Sequence, residues 1–275
     1  MRTIRKVFQL FVDKPIGNGE VLNDHYEVLK VIGTGSYGIV YLCKELKSEE
    51  NRVVKQLRPS KRRDKKVVEM FENEISVLQR LNHQRIPIVY ETFAHNGHLF
   101  YVMGFIEGEN LEDQIFSGKK KFNEKESLLI LSQLLEFIDF LHKHNIYHQD
   151  LRIPNIILQN SEIFLIDFGL AKSPISADLV HPFSGSLSDN ELLEMRRQDY
   201  YDLGDILLYL LYTTYSPKGK KALPWTEELS LEVETVFLLK RLLQIDEPYS
   251  NVSEISTDLQ AALLKQQKYI HSEEV

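Results

Sequence analysis

Five short polar motifs follow one another along this chain, and their order constrains the fold more than any one of them does. The first is a glycine-rich run at residues 33–38. In a dinucleotide-binding fold such a run opens a helix, whereas here it leads into the strand-like residues 39–43, which excludes that interpretation. The other motifs are, in order, Lys55 after two valines, Glu74, residues 148–155 with Asp150 and Asn155, and the Asp-Phe-Gly run at residues 167–169.

The glycine run and the lysine both indicate a site for an anion. Gly33, Gly35 and Gly38 lack a Cβ and tolerate positive φ, so a turn built from them lets the backbone lie against phosphate oxygens. A plain glycine-containing hairpin is the alternative. Lys55 ends a valine-rich run, where a lone buried ammonium would be costly, and so it requires an anionic partner.

Taken together, the ordered motifs resemble the eukaryotic-like, or Hanks-type, serine/threonine protein kinases of bacteria, from about Tyr26 to the C-terminal helices. The resemblance implies an α+β fold with two lobes. A small β-rich N-lobe with one main helix would span residues 25–104, after an N-terminal extension at residues 1–24. A larger, mainly helical C-lobe would span residues 105–275, with a ligand cleft between the lobes.

The resemblance implies an ATP site. In that family the lysine contacts the α- and β-phosphates and pairs with a helix glutamate. Glu74 occupies the matching place, whereas Glu72 would point to another face of the same helix. The residues expected to bind ATP are Ile32, Gly33, Gly35 and Gly38 of the glycine loop, Val40, Val53 and Ile157 around the adenine, the gatekeeper-like Met103, Ile106, and the pair Lys55 and Glu74.

The resemblance also assigns the chemical step. Asp150 resembles the catalytic-loop aspartate that accepts the proton of the substrate hydroxyl. Asn155 and Asp167 resemble the ligands of Mg²⁺, with Mn²⁺ as an alternative ion. Arg152 stands where the family usually has lysine and would neutralise the γ-phosphate. Because arginine is a planar fork and lysine a compact charge, modest activity is expected.

Two departures from the family pattern concern regulation and substrate docking. Gln149 replaces the arginine that receives an activation-loop phosphate in many kinases, and a neutral amide cannot supply that countercharge. This non-RD pattern predicts no switching by loop phosphorylation, and any autophosphorylation in residues 169–198 would fall on serine. No Ala-Pro-Glu precedes Asp199, which resembles the aspartate that holds the catalytic loop's backbone. Residues 246–250 also lack the arginine that would pair with the missing glutamate.

Composition limits the partners and the compartment. The net charge of −7 argues against nucleic-acid binding, and a local basic run is interpreted as a solvated loop. The single cysteine, Cys43, is expected to be buried and inert, which fits the cytoplasm. No signal peptide or transmembrane segment is evident, and the N-terminal arm is expected to pack on the small lobe rather than on a membrane. The basic run comprises Arg58, Lys61, Arg62, Arg63, Lys65 and Lys66.

Periodicity predicts the elements that carry these motifs. Residues 26–105 are strand-rich, and a helix at residues 65–82, which bears Glu74, interrupts them. Short strands are expected to flank residues 148–166. Further helices are predicted at residues 111–116, 124–143, 200–212, 231–243 and 252–268.

The first functional hypothesis is an ATP- and Mg²⁺-dependent kinase that transfers the γ-phosphoryl group to serine or threonine hydroxyls of proteins, including its own serines. The alternatives are a kinase-like enzyme acting on a small-molecule or lipid hydroxyl, and an ATP-binding pseudokinase that serves as a scaffold. The first is favoured because the glycine loop and all five polar residues expected at the site are present. Those five are Lys55, Glu74, Asp150, Asn155 and Asp167.

Overall fold

The structure is a computed structural model that describes residues 12–174, 188–217 and 223–273. The chain divides into two compact units. The first comprises Met1–Glu107 together with Ile166–Gly169, and the second comprises Gly108–Leu165 and Leu170–Val275. The Asp-Phe-Gly run therefore belongs to the unit that carries the glycine loop, although it lies far from that loop in sequence.

The first unit is built on one antiparallel sheet of six described strands. The strands are β1 (Val21–Leu22), β2 (Tyr26–Thr34), β3 (Gly38–Glu45), β4 (Asn51–Leu57), β5 (Val89–His95) and β6 (His98–Gly104). Their order across the sheet is β1-β2-β3-β4-β6-β5. One helix, α1 (Lys65–Arg80), lies between β4 and β5 in sequence and ends before Leu81, whose backbone is extended. The strand-rich region and the helix predicted inside it are both confirmed.

The core of this sheet consists of apolar and aromatic side chains with no exposed surface, among them Val28, Tyr41, Cys43 and Val54. Ile16, from the segment before the sheet, packs against this core. Because burial disfavours a thiolate, it raises the pKa of Cys43 to about 12. The prediction of a buried, inert thiol is confirmed. The described part of the N-terminal segment packs on the sheet, as expected.

The second unit is mainly helical, with one short two-stranded sheet in its described part. The first two helices match their predicted ranges, and Asn123 caps the longer one through a capping box with Glu126. Among the described helices, none has both the length and the apolar composition needed to cross a membrane. The elements are α2 (Leu111–Phe116), α3 (Glu124–Lys143), β7 (Ile156–Gln159), β8 (Glu162–Leu165), α4 (Asp189–Tyr212), α5 (Trp225–Glu228), α6 (Val233–Leu242) and α7 (Val252–Glu273).

The two short strands and helix α4 differ from the prediction, and the short helix α5 was not predicted. The short strands lie inside residues 148–166 rather than flanking them, because Asn160 and Ser161 turn the chain with positive φ angles of 50° and 68°. Helix α4 begins at Asp189 rather than at residue 200. Ser188 and Glu191 cap it reciprocally, and seven of its first ten residues are polar, so the apolar rhythm is weak there. Ser188 is thus a helix cap, whereas Ser176, Ser184 and Ser186 lie outside the described residues.

Most of the basic run after β4 is exposed to solvent, as expected, but the run is not a loop throughout. Pro59–Lys61 form a 3₁₀ turn, and α1 begins at Lys65. The Arg58 side chain is only 22% exposed and pairs with Asp13 at 3.1 Å. Asp13 comes from the segment before the sheet, so a count of local charges cannot detect the carboxylate that neutralises Arg58.

Candidate active site

Lys55 and Glu74 form a buried ion pair in the first unit. Lys55 lies on β4, opposite Val40 of β3 and Tyr101 of β6, and Glu74 lies on the buried face of α1. The Lys55 Nζ donates to Glu74 Oε1 at 2.6 Å and to Oε2 at 2.7 Å. The two side chains are 14% and 4% exposed. The pairing expected between these two residues is therefore present.

Asp167 brings a second carboxylate to Lys55. Its Oδ1 lies 3.5 Å from the Lys55 Nζ and accepts a hydrogen bond from the Gly169 N–H at 3.0 Å. A Cβ at Gly169 would lie 3.2 Å from that same oxygen, so a larger residue there would crowd the Asp167 carboxylate. Burial acts to lower the pKa of Lys55, but the carboxylates of Glu74 and Asp167 outweigh it and raise that pKa. The ammonium therefore stays charged.

Tyr101 adjoins this group of charges, and the sequence reasoning missed it. The side chain has no exposed surface, and its ring centroid lies 5.3 Å from that of Phe71 on α1. Burial and the nearby Glu74 carboxylate raise the pKa of Tyr101 well above its usual value, so its hydroxyl stays protonated. Strand alternation was the available signal, because it places residue 101 on the same face as Met103.

The glycine loop is the turn that joins β2 to β3. The Gly35 N–H donates to the Gly38 carbonyl at 3.0 Å, which closes the turn. A Cβ at Gly38 would lie 3.1 Å from the Gln56 carbonyl oxygen and 3.3 Å from the Lys55 Cε. Glycine therefore allows the loop to approach Lys55 closely. Gly33 belongs to the sheet, where it pairs with Val40.

Several residues expected around the adenine lie on the first unit. Val53 and Met103 are paired across β4 and β6, and each is 6% exposed. Val40 and Ile106 are half-buried, and Ile32 is 43% exposed. These positions give β3, β4 and β6 a common set of apolar side chains beside the Lys55 ion pair.

The remaining expected site residues lie in the second unit, where Asp150, Arg152 and Asn155 come together. The Arg152 Nε lies 3.3 Å from Asp150 Oδ2, and the arginine side chain is 59% exposed. The Asn155 Nδ2 donates to the Asp150 backbone carbonyl at 3.0 Å, which fixes the orientation of the buried amide. Asn155 ends the 3₁₀ turn Ile153–Asn155, and Ile157 follows as a buried residue of β7.

Asp199 of α4 anchors the backbone of this catalytic loop, as expected. The residue has no exposed surface. Its Oδ2 accepts the His148 N–H at 3.1 Å and lies 2.8 Å from the His142 Nε2. Its Oδ1 accepts the Gln149 N–H at 2.8 Å. Two consecutive backbone amides just before Asp150 are therefore held by one buried carboxylate.

Gln149 turns its side chain towards α4. Its Nε2 donates to the Met195 carbonyl at 2.8 Å and to Asp199 Oδ1 at 3.2 Å. The residue has a φ of 64°, in the left-handed region. The residue that replaces the family's phosphate-receiving arginine thus binds the helix itself.

Asp202, one turn after Asp199 on α4, is a functional candidate that the sequence reasoning missed. Its Oδ2 accepts the N–H of Leu151, the residue after Asp150, at 3.0 Å, and its Oδ1 accepts from Gln198 at 2.8 Å. Burial, together with the charges of Asp199 and Asp150, raises the pKa of Asp202 to about 6. The sequence signal for Asp202 was its distance of three residues from Asp199, which places both aspartates on one face of the helix.

Another arginine, Arg241, forms an ion-pair network near residues 246–250, the stretch that lacks the arginine expected from the family. The Arg241 guanidinium of α6 donates to Glu254 at 2.8 Å and to Asp258 at 2.9 Å, both on α7. It also lies 3.9 Å from the centre of the Tyr249 ring. Arg241 therefore links α6 to α7, and the charged residues of this link all lie outside residues 246–250.

Known protein kinases resemble this chain over most of its length. The family described as "Protein kinase domain" matches residues 26–270. The chain is 42% identical, over 93% of its length and 96% of the relative, to the probable serine/threonine-protein kinase YbdM of Bacillus subtilis. It is 28% identical to the serine/threonine-protein kinase cds1 of Schizosaccharomyces pombe, over 84% of this chain and 57% of that relative. CBL-interacting protein kinase 12 of Oryza sativa is 29% identical, over 73% of this chain and 38% of the relative.

Proposed function

The chain belongs to the protein kinase family, as a serine/threonine kinase of the bacterial Hanks type that uses ATP, and we propose that Asp150 is its catalytic base. The observation that supports an active enzyme is the assembled ion pair, in which the Lys55 ammonium contacts both oxygens of Glu74. In protein kinases this pair must be in place before phosphoryl transfer. A scaffold would have no need to keep it together with Asp150 and Asn155.

Lys55 would hold the α- and β-phosphates of ATP. Its ammonium is fixed by Glu74 and stays charged, so it meets the phosphates without first having to be ordered. Val40, Val53 and Met103 would provide the apolar surface for the adenine. The glycine loop would contribute backbone N–H groups, because its closed turn lacks side chains at Gly35 and Gly38.

Asp150 would accept the proton of the acceptor hydroxyl. Its backbone is held by Asn155, and the amides on either side of it are held by Asp199 and Asp202. General-base catalysis of this kind contributes about 10²- to 10⁴-fold in rate. Arg152, beside Asp150 and largely exposed, would neutralise charge on the transferred phosphoryl group.

We propose that Asn155 and Asp167 hold Mg²⁺, with Mn²⁺ as an alternative ion. The donors fit a hard cation, since they are one amide oxygen and one carboxylate, and Mg²⁺ takes its other ligands from water and phosphate. The Asn155 nitrogen is committed to the Asp150 carbonyl, which leaves the amide oxygen as the cation ligand. When bound, the ion neutralises and orients phosphate oxygens.

We propose that the acceptors are serine or threonine hydroxyls of cytoplasmic proteins, including serines of this chain. The serine/threonine assignment rests on the family, and the compartment on the single buried cysteine. The identity of the substrate depends on its docking surface rather than on the fold.

The test is labelling with γ-labelled ATP and Mg²⁺ or Mn²⁺, with and without a generic basic protein. We expect phosphoserine or phosphothreonine from the wild type and almost none from Asp150→Asn, although that variant still binds ATP. Asp139→Asn is the matched control, because Asp139 lies on α3 in an exposed pair with Lys143. Equal labelling by Asp150→Asn would rule out the proposed base, and ATP binding without any labelling would favour a scaffold.

A further inference from the structure

The segment before the sheet is tied to the residues that follow β4. Asp13 is only 8% exposed, although it is an acidic residue and precedes every strand of the described part of the chain. Its Oδ1 accepts the Ser60 N–H at 2.8 Å, and its Oδ2 accepts the Ser60 hydroxyl at 2.8 Å. The same Oδ2 accepts from an Arg58 Nη at 3.1 Å. One carboxylate thus orders both Ser60 and the guanidinium of Arg58.

Arg58 in turn holds the glycine loop at two points. Its Nε donates to the Gly35 carbonyl at 2.6 Å. Its backbone N–H donates to the Tyr37 carbonyl at 2.9 Å. The loop tip, whose glycines give it conformational freedom, is therefore fixed from the side of Arg58.

A second tie fixes the same segment beside Lys55. The Ile16 N–H donates to the Tyr41 hydroxyl at 3.2 Å, and that hydroxyl donates to the Gln56 Oε1 at 2.7 Å. Gln56 is the neighbour of Lys55 on β4, and its side chain is buried. The two ties together prevent the segment that carries Asp13 from shifting along the sheet.

We propose that Arg58, held by Asp13, is a positioning residue for the phosphates of ATP, so that the segment before the kinase domain sets the affinity for ATP. This inference rests on the proposed ATP site. A trans peptide directs its N–H opposite to its C=O. When Arg58 captures the Gly35 carbonyl, it therefore also fixes the direction of the Ser36 N–H, an amide of the loop that covers the phosphates.

The geometry requires arginine rather than any cation. The Nε reaches Gly35 and an Nη reaches Asp13, so the two acceptors are bound by different nitrogens of one planar group. A lysine ammonium is a single point charge on a flexible stem and cannot reproduce this fork. Asp13 contributes because it orders the Arg58 guanidinium before ATP binds, and this reduces the conformational entropy that the protein loses on binding ATP.

The test measures the Kd for ATP, by displacement of a fluorescent ATP analogue, together with kcat and KM for ATP. We expect Arg58→Ala to raise Kd and KM about tenfold, the equivalent of one lost hydrogen bond to a charged group. We expect kcat to change less than about threefold. Arg58→Lys should behave like Arg58→Ala although it keeps the charge, and Asp13→Asn should fall between these variants and the wild type.

Arg63→Ala is the matched control. It removes one positive charge from the same basic run at an exposed position, and we expect wild-type Kd and KM from it. Chemical unfolding of each variant separates loss of fold from loss of affinity, and Asp13→Asn provides a second test if Arg58→Ala is poorly folded.

Two results would overturn the inference while leaving the proposed function intact. Either Arg58→Ala keeps the wild-type Kd, or Arg63→Ala raises Kd as much as Arg58→Ala does, which would indicate a general effect of charge. A wild-type Kd for Arg58→Lys would contradict the claim that the planar guanidinium is required at this position. The failure of the proposed function is distinguishable, because it would appear as absent transfer in the wild type, whereas the Kd comparison needs no transfer.

Discussion

The catalytic loop and the glycine loop are both held by charged side chains, but in different surroundings. Asp199, which holds the catalytic loop in the second unit, has no exposed surface and receives two backbone amides, the Gln149 side chain and His142. Arg58, which holds the glycine loop in the first unit, is 22% exposed. A buried anchor is part of the core, so its loss should appear mainly as lost stability. A partly exposed anchor should affect ligand binding more than folding.

The two anchors also differ in their origin. The family match begins at residue 26, so Asp199 and Arg58 both lie inside it, but Asp13, which holds Arg58, precedes it. The catalytic loop is thus fixed by residues within the matched domain. The glycine loop depends in part on a segment that the family match does not include.

The largest expected effect is at the buried anchor. Asp199→Ala leaves the His148 and Gln149 amides and the His142 ring without their acceptor, so we expect it to lower the free energy of unfolding by about 3–5 kcal/mol. Arg58→Ala, at the partly exposed anchor, leaves Asp13 its two hydrogen bonds from Ser60 and should lower the free energy of unfolding by roughly 1 kcal/mol. Urea denaturation followed by circular dichroism measures both. Equal losses would show that the two anchors do not differ in the way we describe.

A smaller effect is expected from Asp202, and it depends on pH. The pKa of this carboxyl rises from 3.8 to about 6 on folding, so the folded state binds the proton more tightly than the unfolded chain. The resulting stabilisation is fully present below about pH 4 and is lost as pH rises through 6. Relative to Asp202→Asn, wild-type stability should fall by about 1–3 kcal/mol between pH 4.5 and pH 7.5.

The measurement is urea denaturation of both proteins at the two pH values. Subtracting the variant removes the contribution of the other groups of the protein to the pH dependence. A difference between wild type and variant that stays constant with pH would contradict the assigned role of burial at Asp202.

The smallest effect is expected at Gln149, which contacts the buried anchor. Gln149→Ala loses the bonds to Met195 and Asp199 and should lower the free energy of unfolding by about 1–2 kcal/mol. Gln149→Gly loses the same bonds but tolerates the φ of 64°, so it should be more stable than the alanine variant by about 1 kcal/mol. Thermal or urea unfolding of the matched pair isolates the backbone contribution. A glycine variant less stable than the alanine variant would contradict it.

Local sequence patterns predicted the elements that are specified by residues close together in the sequence. The alternation of β2 and the apolar rhythm of α1 and α3 predicted the correct elements, because each of these elements buries one face. The Lys55 and Glu74 pair could also be predicted, since a buried ammonium needs an anion and the family pattern indicated which one. Asp199 was identified on the same basis.

The parts that were missed depend on contacts between residues far apart in sequence. Nothing near Arg58 indicates that its partner is Asp13, because the two are brought together only by the packing of the N-terminal segment on the sheet. The start of α4 was missed because its first ten residues are mostly polar, none of them is buried, and a cap fixes the start of the helix. Asp202 resembled an ordinary surface carboxylate until the helix placed it against the Leu151 amide.

The most direct test of the account is a side-by-side measurement of kcat and KM for ATP in Asp150→Asn and Arg58→Ala. We predict that Asp150→Asn lowers kcat by about 10²- to 10⁴-fold with little change in KM, since the base acts in the chemical step. Arg58→Ala should raise KM with little change in kcat. A wild-type kcat in Asp150→Asn would contradict the assignment of the catalytic base. A lower kcat with an unchanged KM in Arg58→Ala would contradict the assignment of ATP binding to the glycine loop and of the chemical step to the catalytic loop.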